Sequence, residues 1–152
     1  MGKAVSVEEL QGMVGQEIGQ SAWFKIDQAR INAFAECTED RQWIHVDPDK
    51  AKLGPFGKTI AHGYLTLALL SYFGFQNNVF PAGIKMAINY GLNKARFINP
   101  VPVDARVRSR AVLKEVTDKG GGRILMATEY TVEIEGQDKP AMVAETLAML
   151  FV

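Results

Sequence analysis

Between Thr59 and Ile84 the chain carries no Asp, Glu, Lys or Arg. A stretch this free of charge is either a membrane span or an element buried on most of its surface. Gly63, Thr66, Ser71, Gly74, Gln76-Asn77-Asn78 and Pro81 interrupt it, and its strongly apolar part runs only from Tyr64 to Phe75. A span needs about 20 apolar residues. The expectation is therefore a core helix over Ala61–Phe75, apolar nearly all round, with Tyr72, Phe73 and Phe75 in the core. Such a helix has no polar face to offer solvent, so something must wrap it.

The rest of the chain supplies the wrapping. Ile84–Leu92, Ala95–Phe97, Ala105–Val116, Arg123–Glu135 and Ala141–Val152 read as strands. Asp118-Lys119-Gly120-Gly121-Gly122 joins two of them as a hairpin loop, and Glu135-Gly136-Gln137-Asp138 forms a second turn. Upstream, Ser6–Met13 reads as a helix opened by a Ser6/Glu9 capping box, and Gly19–Ile26 as a first strand. Asp27–Cys37 reads as a helix capped by Asp27, with Cys37 a small buried residue. Thr38–Val46 reads as a loop, Asp47-Pro48 as a helix start, Leu53–Gly57 as its stop, and Phe80–Gly83 as a turn. Periodicity supports an α+β domain spanning residues 1–152.

Charge and cysteine content narrow the partners. Lys plus Arg and Asp plus Glu number 17 each, for a net charge of zero. A nucleic-acid binder is normally a basic domain, so nucleic acid is not expected. Cys37 is the single cysteine, which rules out an intramolecular disulfide and agrees with a reducing compartment. Met1–Gly15 has neither the basic nor the apolar region of a secretory signal, so a cytoplasmic protein is expected. His45 and His62 are the only histidines, and no metal cluster is expected.

The segment that carries chemistry is Phe34-Ala35-Glu36-Cys37-Thr38-Glu39-Asp40-Arg41-Gln42-Trp43-Ile44-His45-Val46-Asp47. Asp40 and His45 lie five positions apart, which on one helix would set them about 140° from each other. In a loop the two converge and share a water, and together they accept and return a proton near neutral pH. From spacing alone, a capping aspartate and a satisfied histidine are the simpler explanation of the pair.

This segment resembles the signature of the MaoC-like dehydratases, which include the R-specific enoyl-CoA hydratases, and is especially similar to the small branch related to nodulation protein N. That signature runs Gly-Asp-x-Asn-Pro-aliphatic-His, then five residues to a small one. Asp40, Ile44, His45 and Ala51 match it, while Glu39 stands for the Gly, Gln42 for the Asn and Trp43 for the Pro. Ile60-Ala61-His62-Gly63-Tyr64-Leu65-Thr66 resembles the family's Ala-His-Gly start of the central helix. The resemblance implies a hot-dog fold, a curved sheet around that helix. It implies reversible hydration of a trans-2-enoyl thioester, of coenzyme A or acyl carrier protein, by a homodimer without cofactor or metal. Asp40 then resembles the base and His45 its partner, and the Gly63 amide is placed to bind the thioester oxygen. Gln42 is a candidate for substrate contact or for bracing the loop, and His62 for lining the substrate pocket or holding the turn. Lys94 and Arg96, with Arg106, Arg108 and Arg110, are candidates for the coenzyme A phosphates, against the alternative of a solvated sheet face. A hot-dog thioesterase and a non-catalytic acyl-thioester-binding subunit are the competing readings.

Overall fold

In the computed structural model, which describes residues 2–152, five helices and eight strands follow in the order β1(Lys3–Val5) α1(Val7–Gln11) β2(Glu17–Gln20) β3(Phe24–Lys25) α2(Gln28–Thr38) α3(Trp43–Val46) α4(Pro48–Lys52) α5(Gly63–Asn77) β4(Val79–Pro81) β5(Met86–Phe97) β6(Arg106–Gly120) β7(Arg123–Ile134) β8(Met142–Phe151). The main sheet is antiparallel in the order β2-β6-β7-β8-β5, with β3 also on β6. Side chains alternate across it. Val107, Ala111 and Leu113 of β6 and Ile124, Met126, Tyr130 and Val132 of β7 face inward. They close over Leu65, Leu69, Leu70 and Phe73 of α5. Burying Phe73, which is 1% exposed, contributes about 3 kcal/mol. A curved antiparallel sheet around one long apolar helix is the hot-dog arrangement.

Local signals act as expected. Ser6 and Glu9 form a reciprocal capping box. Asp27 accepts from Arg30 N–H, and Asp47 caps α4 ahead of Pro48. Other expectations need correction. The strand expected over Gly19–Ile26 is broken into β2 and β3: the Ser21 amide still donates to the Ser109 carbonyl, but it is Ser21 Oγ and not a ladder carbonyl that accepts from the Ser109 N–H. The expected turn at Phe80–Gly83 instead begins with β4, which pairs in parallel with the unforeseen β1. Ile84–Leu92 and Ala95–Phe97 are one strand, β5, whose register shifts past Tyr90 and Asn93 absorb the break.

Exposure corrects three more readings. Cys37 is exposed, since α2 buries only Ile31 and Ala35. Tyr72 and Phe75 are about half exposed and Tyr64 more so, because the sheet of one chain covers only part of α5. Strand β5 is exposed on both faces, with Met86, Ile88, Tyr90 and Leu92 about half exposed, and among the described residues no strand pairs with its outer edge.

Candidate active site

Three elements bring the site together. Helix α2 runs one residue past Cys37 and ends on Glu39, whose φ is 63°. This is the left-handed conformation, which costs a residue with a Cβ roughly 1–2 kcal/mol and glycine almost nothing. Glu39 stands where the family signature has Gly, so the backbone shape of the motif survives the substitution. Arg41 braces the turn, with Nε and Nη2 donating to the two Glu36 carboxylate oxygens at 2.8 and 2.9 Å and Nη1 to Glu39.

The expected loop over Thr38–Val46 is therefore only a short turn, Glu39–Gln42, between α2 and the one-turn helix α3. Trp43–Val46 winds because the Val46 and Asp47 amides reach back to Gln42 and Trp43 carbonyls. Asp40 and His45 thus belong to different elements, and the 140° separation of a continuous helix does not apply. Gln42 sits at the N-cap of α3, where its side chain makes no capping bond.

His45 is 6% exposed. Its Nδ1 lies 2.7 Å from the Ile60 carbonyl oxygen, which only accepts, so Nδ1 carries the proton and Nε2 is a bare lone pair. Burial, the largest influence, holds the imidazole below its ordinary pKa, against the opposing effect of the Ile60 bond. His45 is consequently a neutral acceptor at pH 7. Gln28 of α2 supports it from behind, donating Nε2–H to the His45 carbonyl at 2.8 Å and accepting from Thr59 Oγ1 at 2.5 Å.

His62 is 3% exposed and stacks on His45, with ring centroids 3.8 Å apart and planes 24° apart. Its Nε2 lies 2.9 Å from the Asp40 carbonyl oxygen. A carboxylate oxygen of Asp40 and a ring nitrogen of each histidine lie within 4.8 Å of one another. That span suits one bridging water, whose two hydrogen bonds reach about 2.8 Å each. A metal ion fits less well, because stacked imidazoles project their lone pairs side by side rather than toward one point. The Asp40 carboxylate is exposed and has no hydrogen-bond or ion-pair partner among the described residues.

Gly63 opens α5, and its amide and that of Tyr64 find no acceptor among the described residues. Free donors at a helix start favour negative charge on an incoming oxygen. A cavity of about 320 Å³ opens beside them. His45 and Gly63 border it, and Phe56, Thr66, Phe97, Ile98 and Val101 are among the other residues of its wall. The Phe97 ring would lie 3.0 Å from a Cβ placed on Gly63.

The proposed cations lie elsewhere in the chain. Lys94 pairs with Glu129 at 3.1 Å, Arg96 donates to the Ala95 carbonyl, and neither borders this cavity. Arg106, Arg108 and Arg110 share a face as alternation requires, but each is spent on an acidic neighbour: Glu135, Glu133 and Glu17. Sequence reasoning missed Gln28, the Ile60 carbonyl, Phe56 and Phe97. No local pattern marks them, since they reach the site through contacts distant in the chain.

The fold and this site define a hot-dog protein with an aspartate–histidine pair at the start of its central helix. The MaoC like domain model matches residues 9–135, and the chain belongs to the MaoC-like dehydratase family. The chain is 51% identical over 142 residues to 3-hydroxyacyl-thioester dehydratase Z of Mycobacterium tuberculosis (strain ATCC 25618 / H37Rv), covering 93% of each. It is 45% identical over 146 residues to Nodulation protein N of Rhizobium meliloti (strain 1021), covering 95% of this chain and 91% of that one. Among solved structures it is similar to R-Hydratase PhaJ1 from Pseudomonas aeruginosa, with a TM-score of 0.74, 26% identity, and coverage of 97% of this chain and 86% of that one. Among the described residues no helix is long and apolar enough to cross a membrane.

Proposed function

We propose that this protein is an R-specific enoyl-CoA hydratase, a hydro-lyase that reversibly adds water to trans-2-enoyl-CoA, with the whole of 1–152 acting as one domain. The observation that carries this reading is the Asp40 carboxylate, unpartnered among the described residues and within water-bridging reach of a buried, neutral imidazole. A carboxylate kept free beside a bare nitrogen is poised to bind and deprotonate water. The Asp40–His45 pair takes one proton from the water as its oxygen adds to C3. As the double bond shifts, negative charge moves onto the thioester oxygen, where the Gly63 N–H stabilises it. The pair then returns a proton to C2, so one water is consumed and both groups end as they began. Dehydration of the 3-hydroxyacyl thioester is the same path reversed. The apolar cavity suits an acyl chain, and the similarity to a 3-hydroxyacyl-thioester dehydratase agrees with the substrate class.

A thioesterase reading is weaker, because no acidic residue lies in the first turn of α5. We further propose a cytoplasmic homodimer. The open edge of β5 and the apolar side chains flanking it offer a surface that a second copy covers, and a groove of about 560 Å³ between α5 and β5 opens there. The direct test is purified protein with trans-2-enoyl-CoAs of several chain lengths and chiral analysis of the product. R-3-hydroxyacyl-CoA is expected. A clean S product, or thioester cleavage without hydration, would overturn the assignment.

A further inference from the structure

We infer that His62 is a positioning residue, holding Asp40 by its main chain and His45 by its ring so that both are set before substrate arrives. The inference rests on the hydratase reading and assigns this residue a place in it other than substrate contact. His62 is the N-cap of α5, yet its side chain makes no capping bond. It reaches 22 residues back along the chain instead, to the Asp40 carbonyl. That is the one hydrogen bond Asp40 makes among the described residues. The other bonds that shape the turn are local, from the Arg41 clamp to the Gln42 carbonyl that starts α3, and the clamp is exposed, where ion pairs hold geometry weakly.

The ring of His62 is fixed from two sides. His45 stacks on it at 3.8 Å, and the Phe34 ring lies 5.0 Å away at 55°. Because the Asp40 carbonyl only accepts, Nε2 must carry the proton, and Nδ1 is left as a bare acceptor. That Nδ1 is buried and unpartnered, the one such side-chain atom among the described residues. An unsatisfied buried acceptor is destabilising, and a core chosen for packing alone has no use for it. An imidazole is nevertheless the side chain that presents a donor from one edge and a flat face for stacking at the same time. The carboxylate and imidazole that share the water are thereby joined through a third residue, and Gly63, whose amide faces the developing oxyanion, is the next residue in the chain. One peptide segment aligns all three.

Two substitutions separate the parts. His62→Phe keeps a ring against His45 and removes the donor, whereas His62→Gln keeps a donor and removes the ring. Each is made alone and in an Asp40→Asn background, and kcat, KM and thermal midpoint are measured. Residues that orient a reactive group typically cost 10–100-fold when lost. His62→Phe is expected to lower kcat by about that factor with KM within about threefold, and His62→Gln to recover part of the loss. In the Asp40→Asn background His62→Phe should cost less than about threefold more, because the carboxylate it positions is already gone. Losses that multiply in the double variant, or kcat within threefold of native in folded His62→Phe, would overturn the inference. Nitrogen chemical shifts of the native protein provide a check that needs no variant to fold: His62 must be the Nε2–H tautomer, and an Nδ1–H signal would overturn the assignment. Normal kcat in Asp40→Asn alone would sink the hydratase mechanism itself, a result distinct from failure of His62→Phe with Asp40→Asn inactive.

Discussion

Replacing Asp40 by Asn separates catalysis from stability more sharply than any other change in this protein. The side chain keeps its shape and loses its charge. Its carboxylate is exposed, makes no hydrogen bond or ion pair among the described residues, and does not cap a helix, that place being taken by Asp47 for α4. A surface change of this kind shifts stability by no more than about 0.5 kcal/mol. For a chain of this size, 1 kcal/mol moves the thermal midpoint about 2–4 °C, so a shift within about 2 °C is expected. The tie between the Asp40 carbonyl and His62 uses the main chain and survives the substitution. Activity should behave quite differently. A positioned acid–base group contributes about 10²–10⁴-fold, equivalent to about 3–5 kcal/mol of barrier. The assay is kcat for hydration of a trans-2-enoyl-CoA, followed by loss of the conjugated thioester chromophore, alongside calorimetry on the same preparation. A kcat within threefold of native would refute the reasoning. A large drop in midpoint would refute the structural half of it, by showing that the carboxylate had a partner after all.

Further outcomes follow from neighbouring residues. Because burial holds the folded His45 pKa below the ordinary value of about 6.5, the unfolded chain takes up a proton first as pH falls. The stability contributed by neutral His45 is complete above about pH 6.5 and declines below it toward the folded pKa. His45→Gln should therefore flatten the acid side of the stability profile and lower kcat by at least about 10²-fold; an unchanged midpoint-against-pH curve contradicts this. Gly63→Ala places a Cβ 3.0 Å from the half-exposed Phe97 ring, which must shift by a few tenths of an ångström beside the cavity, so kcat/KM should fall with the fold retained. Trimming Phe97 to Leu in that background should restore part of the loss, and no recovery would place the defect in the amide instead. On a sizing column with light scattering at micromolar concentration, the native chain should run at twice its mass, and Ile88→Lys on β5 should shift it toward the monomer. A strictly monomeric native enzyme with full activity would remove the dimer from the proposal.

What the sequence determined by itself is what adjacent residues decide among themselves. The caps at Ser6, Asp27 and Asp47 each satisfy an amide three residues on, and so they are legible without knowing the fold. The absence of charge from Thr59 to Ile84 calls for a helix with a large covered face, and alternation in the later strands calls for a sheet with one inward face. The motif residues Asp40 and His45 and the Ala61-His62-Gly63 start of the helix are legible through their resemblance to a family. Other features depend on chain closure. Whether Asp40 and His45 converge was settled by an α2 that ends on a left-handed Glu39 and a separate turn of helix at Trp43–Val46. The tautomer of His45 follows from the Ile60 carbonyl 15 residues away, and that of His62 from Asp40 22 residues away. Tyr72 and Phe75 are as apolar as Phe73, yet only Phe73 is buried, because burial depends on where the sheet stops, not on the side chain. Arg106, Arg108 and Arg110 have the spacing of an anion-binding row, but cross-strand register and a neighbouring strand hand each an acidic partner. Hydrogen bonds within a turn are set by local dihedral angles, whereas a partner brought in from a distant strand is set only when the whole core closes.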